Sequence, residues 1–153
     1  MVMLKVGDKA PDFLGIDQNE NTISLKDYEG KKVVLYFYPK ANTPGCTAEA
    51  CNLNDNLERL KAKGYEIIGV SADSVKTQKS FAEKYHLNFP LIADTDKNII
   101  KSYGAWGKKK MYGKEYEGIM RYTFLISEDG IIQDIITQID TKHHSSQILE
   151  KDF

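Results

Sequence analysis

Hydrophobic positions in this chain alternate between strand and helix spacing. Residues 33 to 38, Val-Val-Leu-Tyr-Phe-Tyr, form an unbroken β-branched and aromatic run, the pattern of a strand buried on both faces and central in its sheet. From 44 to 63, Ala50, Leu53, Leu57 and Leu60 share one helical face, Lys61 and Lys63 sit near the end, and Gly64 supplies a stop. A strand at 65 to 70 follows, then a helix carrying Phe81, Ala82 and Tyr85, capped by Asp73 or Ser74 and ending at His86, which suits the helix dipole there. A short third strand at 89 to 93 leads through Asp94-Thr-Asp96 into a helical turn with Ile99, Ile100 and Tyr103.

The flanking segments complete the architecture. Two short apolar stretches within 13 to 25, separated by Asp17-Gln-Asn-Glu20, predict a hairpin that decorates the main sheet. Residues 104 to 117 mix Gly, Lys and aromatics without periodicity and read as a long loop, a candidate wall for an active site. Strand character returns at 122 to 126 and again at 131 to 136 around Glu128-Asp-Gly130, an antiparallel hairpin, and a last helix is expected over 143 to 150. The sum is an α/β three-layer sandwich, a mixed central sheet flanked by helices with an N-terminal β-hairpin, in one domain spanning 1 to 153 without repeats or linkers.

Composition narrows the class of function. Hydrophobic residues at 41% and charged residues at 28% describe a globular chain, neither disordered nor fibrous. Twenty-one basic against 22 acidic residues leave no global field to draw it to nucleic acid or an anionic membrane, so small neutral or weakly charged substrates fit better. The start Met1-Val-Met-Leu-Lys-Val-Gly-Asp8 has no apolar leader, and no apolar run approaches membrane-spanning length, so the expected compartment is the cytoplasm. Two cysteines, Cys46 and Cys51, are all the chain has, and a reducing cytosol would not use them as a staple. They are either a redox pair or two buried apolar thiols, and composition does not choose between them.

Their surroundings do. Cys46 follows the buried strand and opens the first long helix, with Thr43 as N-cap and Pro44 at the first helical position. Free N–H groups and the helix dipole favour an anion there, and the thiolate is the nucleophilic form of the sulfur. Gly45 leaves room for a substrate against the backbone, and Pro39 and Pro44 shield the sulfur from water without adding a donor. In an ideal helix Cys46 and Cys51 lie roughly 8.7 Å apart at Cα. A disulfide needs about 4.4 to 6.8 Å, so bridging them requires the first turns to unwind. Asn52, Asn54 and Asn56, weak helix formers, either ease that melting or simply face solvent.

The run Thr43-Pro-Gly-Cys-Thr-x-Glu-x-Cys51, with Pro39 four residues before Thr43, resembles the peroxiredoxins, specifically the bacterioferritin comigratory protein or peroxiredoxin Q group. The likeness extends from Gly7-Asp-x-Ala-Pro-Asp-Phe13 to Tyr122-Thr-Phe-Leu-Ile126, nearly the whole chain. The resemblance implies a thioredoxin-like fold, Cys46 as the peroxidatic cysteine, Cys51 as the resolving cysteine and Thr43 as a hydroxyl that orients the peroxide. It also implies an arginine, matched here by Arg121 in Gly118-Ile-Met-Arg-Tyr-Thr-Phe124, whose guanidinium would stabilise the thiolate and the charge moving onto the leaving oxygen. Glu49 belongs to the same pattern and either polarises a network around Arg121 or decorates the first turn.

The activity so implied is reduction of hydrogen peroxide and organic hydroperoxides through a sulfenic acid on Cys46 and a disulfide with Cys51, reopened by thioredoxin or a glutaredoxin-like dithiol. No metal, flavin or haem is required, and because both thiols lie in one chain a monomer is expected. A thiol-disulfide oxidoreductase on the same fold would carry Cys-x-x-Cys, absent here; a peroxide-sensing switch using the same disulfide is the other alternative. A zinc site from the two cysteines with His143 and His144 is disfavoured because adjacent histidines diverge on a helix. Trp106 and Lys108-Lys-Lys110 read as a solvated loop in preference to a reductase-docking surface, and Tyr36, Phe37 and Phe124 as core, with Tyr38 a possible exception near its strand end.

Overall fold

The computed structural model describes residues 4–151; the expected start over Met1 to Asp8 and the expected domain over 1 to 153 fall in part outside the described residues. The buried run forms β3 (Lys32–Phe37), the middle strand of a five-stranded sheet. It pairs in parallel with β4 (Tyr65–Ser71), which pairs in parallel with β5 (Leu91–Ala93). On its other side β3 pairs antiparallel with β8 (Thr123–Ile126), and β8 with β9 (Ile132–Ile136). The sheet is therefore mixed. The N-terminal hairpin is β1 (Leu14–Ile16) with β2 (Thr22–Ser24), in register Gly15 to Ile23.

Alternation along β3 divides the core. Val34, Tyr36 and Tyr38 enter a cluster with Leu53 and Leu60 of the first helices, Phe81 of α3 (Val75–Tyr85) and Ile148 of α5 (His144–Leu149). Val33, Leu35 and Phe37 enter the opposite cluster with Phe13, Ile99 and Ile100, the last two from α4 (Asn98–Ser102). These are the three layers expected, and each fully buried leucine or isoleucine in them contributes about 2 kcal/mol of transfer free energy. Tyr38 belongs to this core, 1% exposed with its hydroxyl donating to buried Gln78, so it is no exception.

Two expected elements differ. The helix over 44 to 63 is two helices, α1 (Pro44–Asp55) and α2 (Leu57–Ala62), broken at Asn56. Asn56 leaves helical geometry at φ −109° and ψ 16°, and its side-chain amide donates to the Asn52 carbonyl at 2.9 Å, the local competition that makes asparagine a weak helix former. The other asparagines are tertiary anchors: Asn52 Oδ1 accepts from Ser145 N at 2.7 Å, and Asn54 bonds His86 O and Asn88 N.

The second difference is the loop at 104 to 117, most of which is a hairpin of β6 (Trp106–Met111) and β7 (Lys114–Ile119). Tyr112 and Gly113 turn it with φ of 54° and 77°, the pair of left-handed residues a tight two-residue hairpin demands. Lys108 faces Glu117 and Lys110 faces Glu115 across the strands, pairing opposite charges. Much of the arm is solvated, so no apolar alternation announces it. Trp106 is held within it, its Nε1 donating to Glu117 at 2.8 Å.

Candidate active site

The site forms where β3 ends and α1 begins. Asp73, just after β4, accepts from Ala41 N at 2.8 Å and from the Ser71 hydroxyl at 2.7 Å, clamping the connecting loop. Asn42 takes the left-handed turn at φ 63°, and Thr43 enters the helix extended, at φ −89° and ψ 155°. The Thr43 hydroxyl does not cap the helix as expected. It donates instead to the Lys40 carbonyl at 2.7 Å, which closes the turn and leaves its oxygen lone pairs free to accept. Pro44 opens α1, and Gly45 and Cys46 follow in the first turn, where N–H groups have no upstream carbonyl.

Cys46 is 2% exposed, and Pro39, Thr43 and Gly45 around this corner are half-buried. Arg121, between β7 and β8, reaches across 75 residues of chain to place Nη2 3.4 Å from Cys46 Sγ and Nη1 2.9 Å from Glu49 Oε1. Gly45 eases that approach: a Cβ there would stand 3.3 Å from Arg121 Nη2, tighter than ordinary contact. Lys109 of β6 is close enough to feel both charges, Arg121 helping burial push its ammonium toward neutrality while Cys46 opposes. That brings the β6–β7 arm to the side of the site. Two surface grooves, one around Lys9, Tyr28 and Glu128 and one between Gln18 and Lys76, do not include Cys46.

Both cysteines are free thiols on α1, so their Cα atoms have the helical separation of about 8.7 Å. Burial and Asp55 push the Cys51 thiol up, so it waits in the protonated form. Among the described residues no group of three His, Cys, Asp or Glu is placed to hold a metal, and no helix is long and apolar enough to cross a membrane. His143 is exposed and bonded to Asp140, while His144 points into the interior.

Glu49 is fully buried, more deeply than a first-turn acid would suggest. Desolvation outweighs the attraction of Arg121 and pushes its carboxyl up to about 7. The folded chain thus binds this proton more tightly than the unfolded chain. Stability from this group is fully present below 4.5 and lost as pH rises through about 7, a swing of roughly 3 kcal/mol. Urea unfolding across that window should show wild type losing this increment relative to Glu49→Gln; parallel curves would contradict it.

His144 was not marked as a site residue by sequence, and nothing local distinguishes it from a histidine that begins a helix. Only the fold reveals it, 0% exposed behind Glu49 with Nε2 2.8 Å from Thr123 Oγ1.

Residues 6–135 match the model of the AhpC/TSA family. The chain is 44% identical over 146 residues to peroxiredoxin Bcp of Escherichia coli K12, covering 95% of this chain and 94% of that protein. Among solved structures, a cysteine-to-serine variant of Xylella fastidiosa PrxQ superposes with a TM-score of 0.91 at 32% identity, covering 97% of this chain and 95% of that one. The bacterioferritin comigratory protein of Xanthomonas campestris, a protein with alkyl peroxide reduction activity, superposes at 0.84 with 34% identity over 90% of this chain and 87% of that one. Likeness of that extent in both sequence and thioredoxin-like fold makes this chain a member of the AhpC/TSA family, a peroxiredoxin of the Bcp and peroxiredoxin Q kind and thus a thiol peroxidase.

Proposed function

We propose that the Cys46 thiolate attacks the terminal oxygen of a hydroperoxide. The S–O bond forms as the O–O bond breaks, the departing hydroxide or alkoxide takes a proton to become water or alcohol, and Cys46 is left as a sulfenic acid. The observation that carries this reading is the Arg121 fork, one nitrogen 3.4 Å from the sulfur and the other fixed by Glu49, which favours the thiolate first and the charge on the leaving oxygen afterwards. Thr43, its own proton committed to Lys40, has lone pairs to accept from the peroxide O–H and orient it. Pro39, Pro44 and Gly45 complete the corner. The near-complete burial of Cys46 suits a small or slender hydroperoxide.

Cys51 then attacks the sulfenic sulfur, a water is lost, and an intramolecular disulfide forms after α1 unwinds. An external dithiol, thioredoxin or a glutaredoxin-like protein, supplies the two electrons that reopen it. With both thiols in one chain, a cytoplasmic monomer folded as one domain completes the cycle. The test is stoichiometric: one equivalent of hydrogen peroxide should remove both free thiols and yield a monomer lighter by two hydrogens, with a weaker helical circular dichroism signal. Retention of either thiol, or an unchanged helical signal in the bridged protein, would contradict the cycle.

A further inference from the structure

Behind Cys46 lies a closed polar cluster that the disulfide cycle uses only at its edge, where Glu49 holds Arg121. Glu49 of α1, Thr123 of β8 and His144 of α5 are each fully buried. Hydrogen bonds around His144 define its tautomer. Gln147 Oε1 accepts from Asp140 N at 3.0 Å and lies 2.7 Å from His144 Nδ1, so Nδ1 carries the ring proton. In the neutral ring Nε2 is then an acceptor, and it takes the Thr123 hydroxyl at 2.8 Å.

Glu49 Oε2 stands 3.6 Å from that same Nε2 and has no hydrogen-bond partner. An ionised carboxylate would turn a bare oxygen toward a ring nitrogen that has no proton to offer it, in a site shut off from solvent. It would also compete with the sulfur for one guanidinium, since Arg121 holds Glu49 with Nη1 and Cys46 with Nη2. Two buried anions sharing one cation leave a net negative charge inside the protein, which is costly.

We propose that while Cys46 is a thiolate Glu49 is held as the neutral acid against His144, so that the positive charge of Arg121 is left to the sulfur and the peroxide. Glu49 and His144 are then positioning residues, acting through Arg121, and the inference rests on the peroxidatic role of Cys46 argued above. Burial pushes the Glu49 carboxyl up and His144 down, which puts the proton on the acid. The other titratable groups near the cluster are Tyr36 of β3, kept protonated by burial, and Asp140 ahead of α5, which draws His144 weakly toward its charged form; Tyr38, one residue past β3, and Lys109 of β6 lie on the Cys46 side and feel the sulfur instead.

The test measures single-turnover oxidation of Cys46 by hydrogen peroxide at pH values on either side of about 7, where the Glu49 carboxyl titrates. Relative to Glu49→Gln, wild type should lose rate as pH rises through that value, because the glutamine stays neutral while still accepting from Arg121. Glu49→Gln should also react about tenfold faster than Glu49→Ala, which leaves the guanidinium unheld. His144→Gln, which offers an N–H to Oε2, should move the wild-type decline to lower pH. If Glu49→Gln is as slow as Glu49→Ala, or if the decline survives in it, the proposal is overturned. A second readout needs no turnover: reduced wild type below neutrality should show a carboxylic acid C=O stretch in the infrared that Glu49→Gln lacks. Absence of that band overturns the neutral acid even where peroxide is consumed normally, whereas a present band with no peroxide consumption overturns the peroxidatic reading alone.

Discussion

Cys46→Ser should abolish hydroperoxide consumption with the fold intact. The replacement differs by one atom at a residue that is 2% exposed, so packing around Ala50 and Leu53 has no reason to change. A serine hydroxyl stays protonated beside Arg121 where a thiol can ionise, and its oxygen is a far weaker nucleophile toward an O–O bond. The contrast lies in Cys51→Ser, which should consume one equivalent and stop with a sulfenic acid on Cys46. Following peroxide loss in the presence of thioredoxin, its reductase and NADPH separates the two. Sustained turnover by either serine variant would reverse the assignment of the thiols.

Arg121→Met should slow peroxide reduction by about 10²–10³-fold, the usual consequence of removing one preorganised donor from developing charge. Methionine retains much of the stem but cannot bond Glu49 Oε1 or Cys46 Sγ, the 2.9 Å and 3.4 Å contacts of the guanidinium. Arg121→Lys should recover only part of the loss, because a single ammonium cannot satisfy both contacts in a fixed fork. Alkylation of Cys46 by iodoacetamide should slow in the same order, tying the effect to the thiolate. A peroxide rate within about threefold of wild type for Arg121→Met would remove the arginine from the chemistry.

How far the sequence can be read depends on where the interactions lie. The central strand over 33 to 38, the parallel neighbour after it and the late hairpin were legible because their apolar residues are buried by the sheet itself. The solvated arm over 106 to 119 was not, since its strands set lysines opposite glutamates in place of an apolar stripe and join at a Tyr112-Gly113 turn that lacks the usual Asn-Gly signal. The facing lysines and glutamates either side of Gly113 were the available clue. Asn56 was noticed only as a weak helix former, and its bond back to Asn52 decides the break.

At the site, local logic reached the helix start around Cys46 and stopped there. Arg121 is legible only through family likeness, because nothing in the chain between positions 46 and 121 signals that a guanidinium returns to the sulfur. Glu49 stood undecided between solvent and network, and its burial depends on α5 closing over it. His144 is illegible as part of the site for the same reason: its partners, Thr123 and Glu49, lie on two other elements.

In the proposed disulfide cycle the interruption at Asn56 would act as a fuse. Melting that begins at Cys46 to let the thiols meet can run through the twelve residues of α1, about three turns, and then reaches a point where the helical ladder is already discontinuous. Beyond it Leu57 and Leu60 remain seated in the core, so the second helix need not follow the first. On that proposal each round of oxidation and repair would dismantle a defined length of chain, from Pro44 to the break ahead of Leu57.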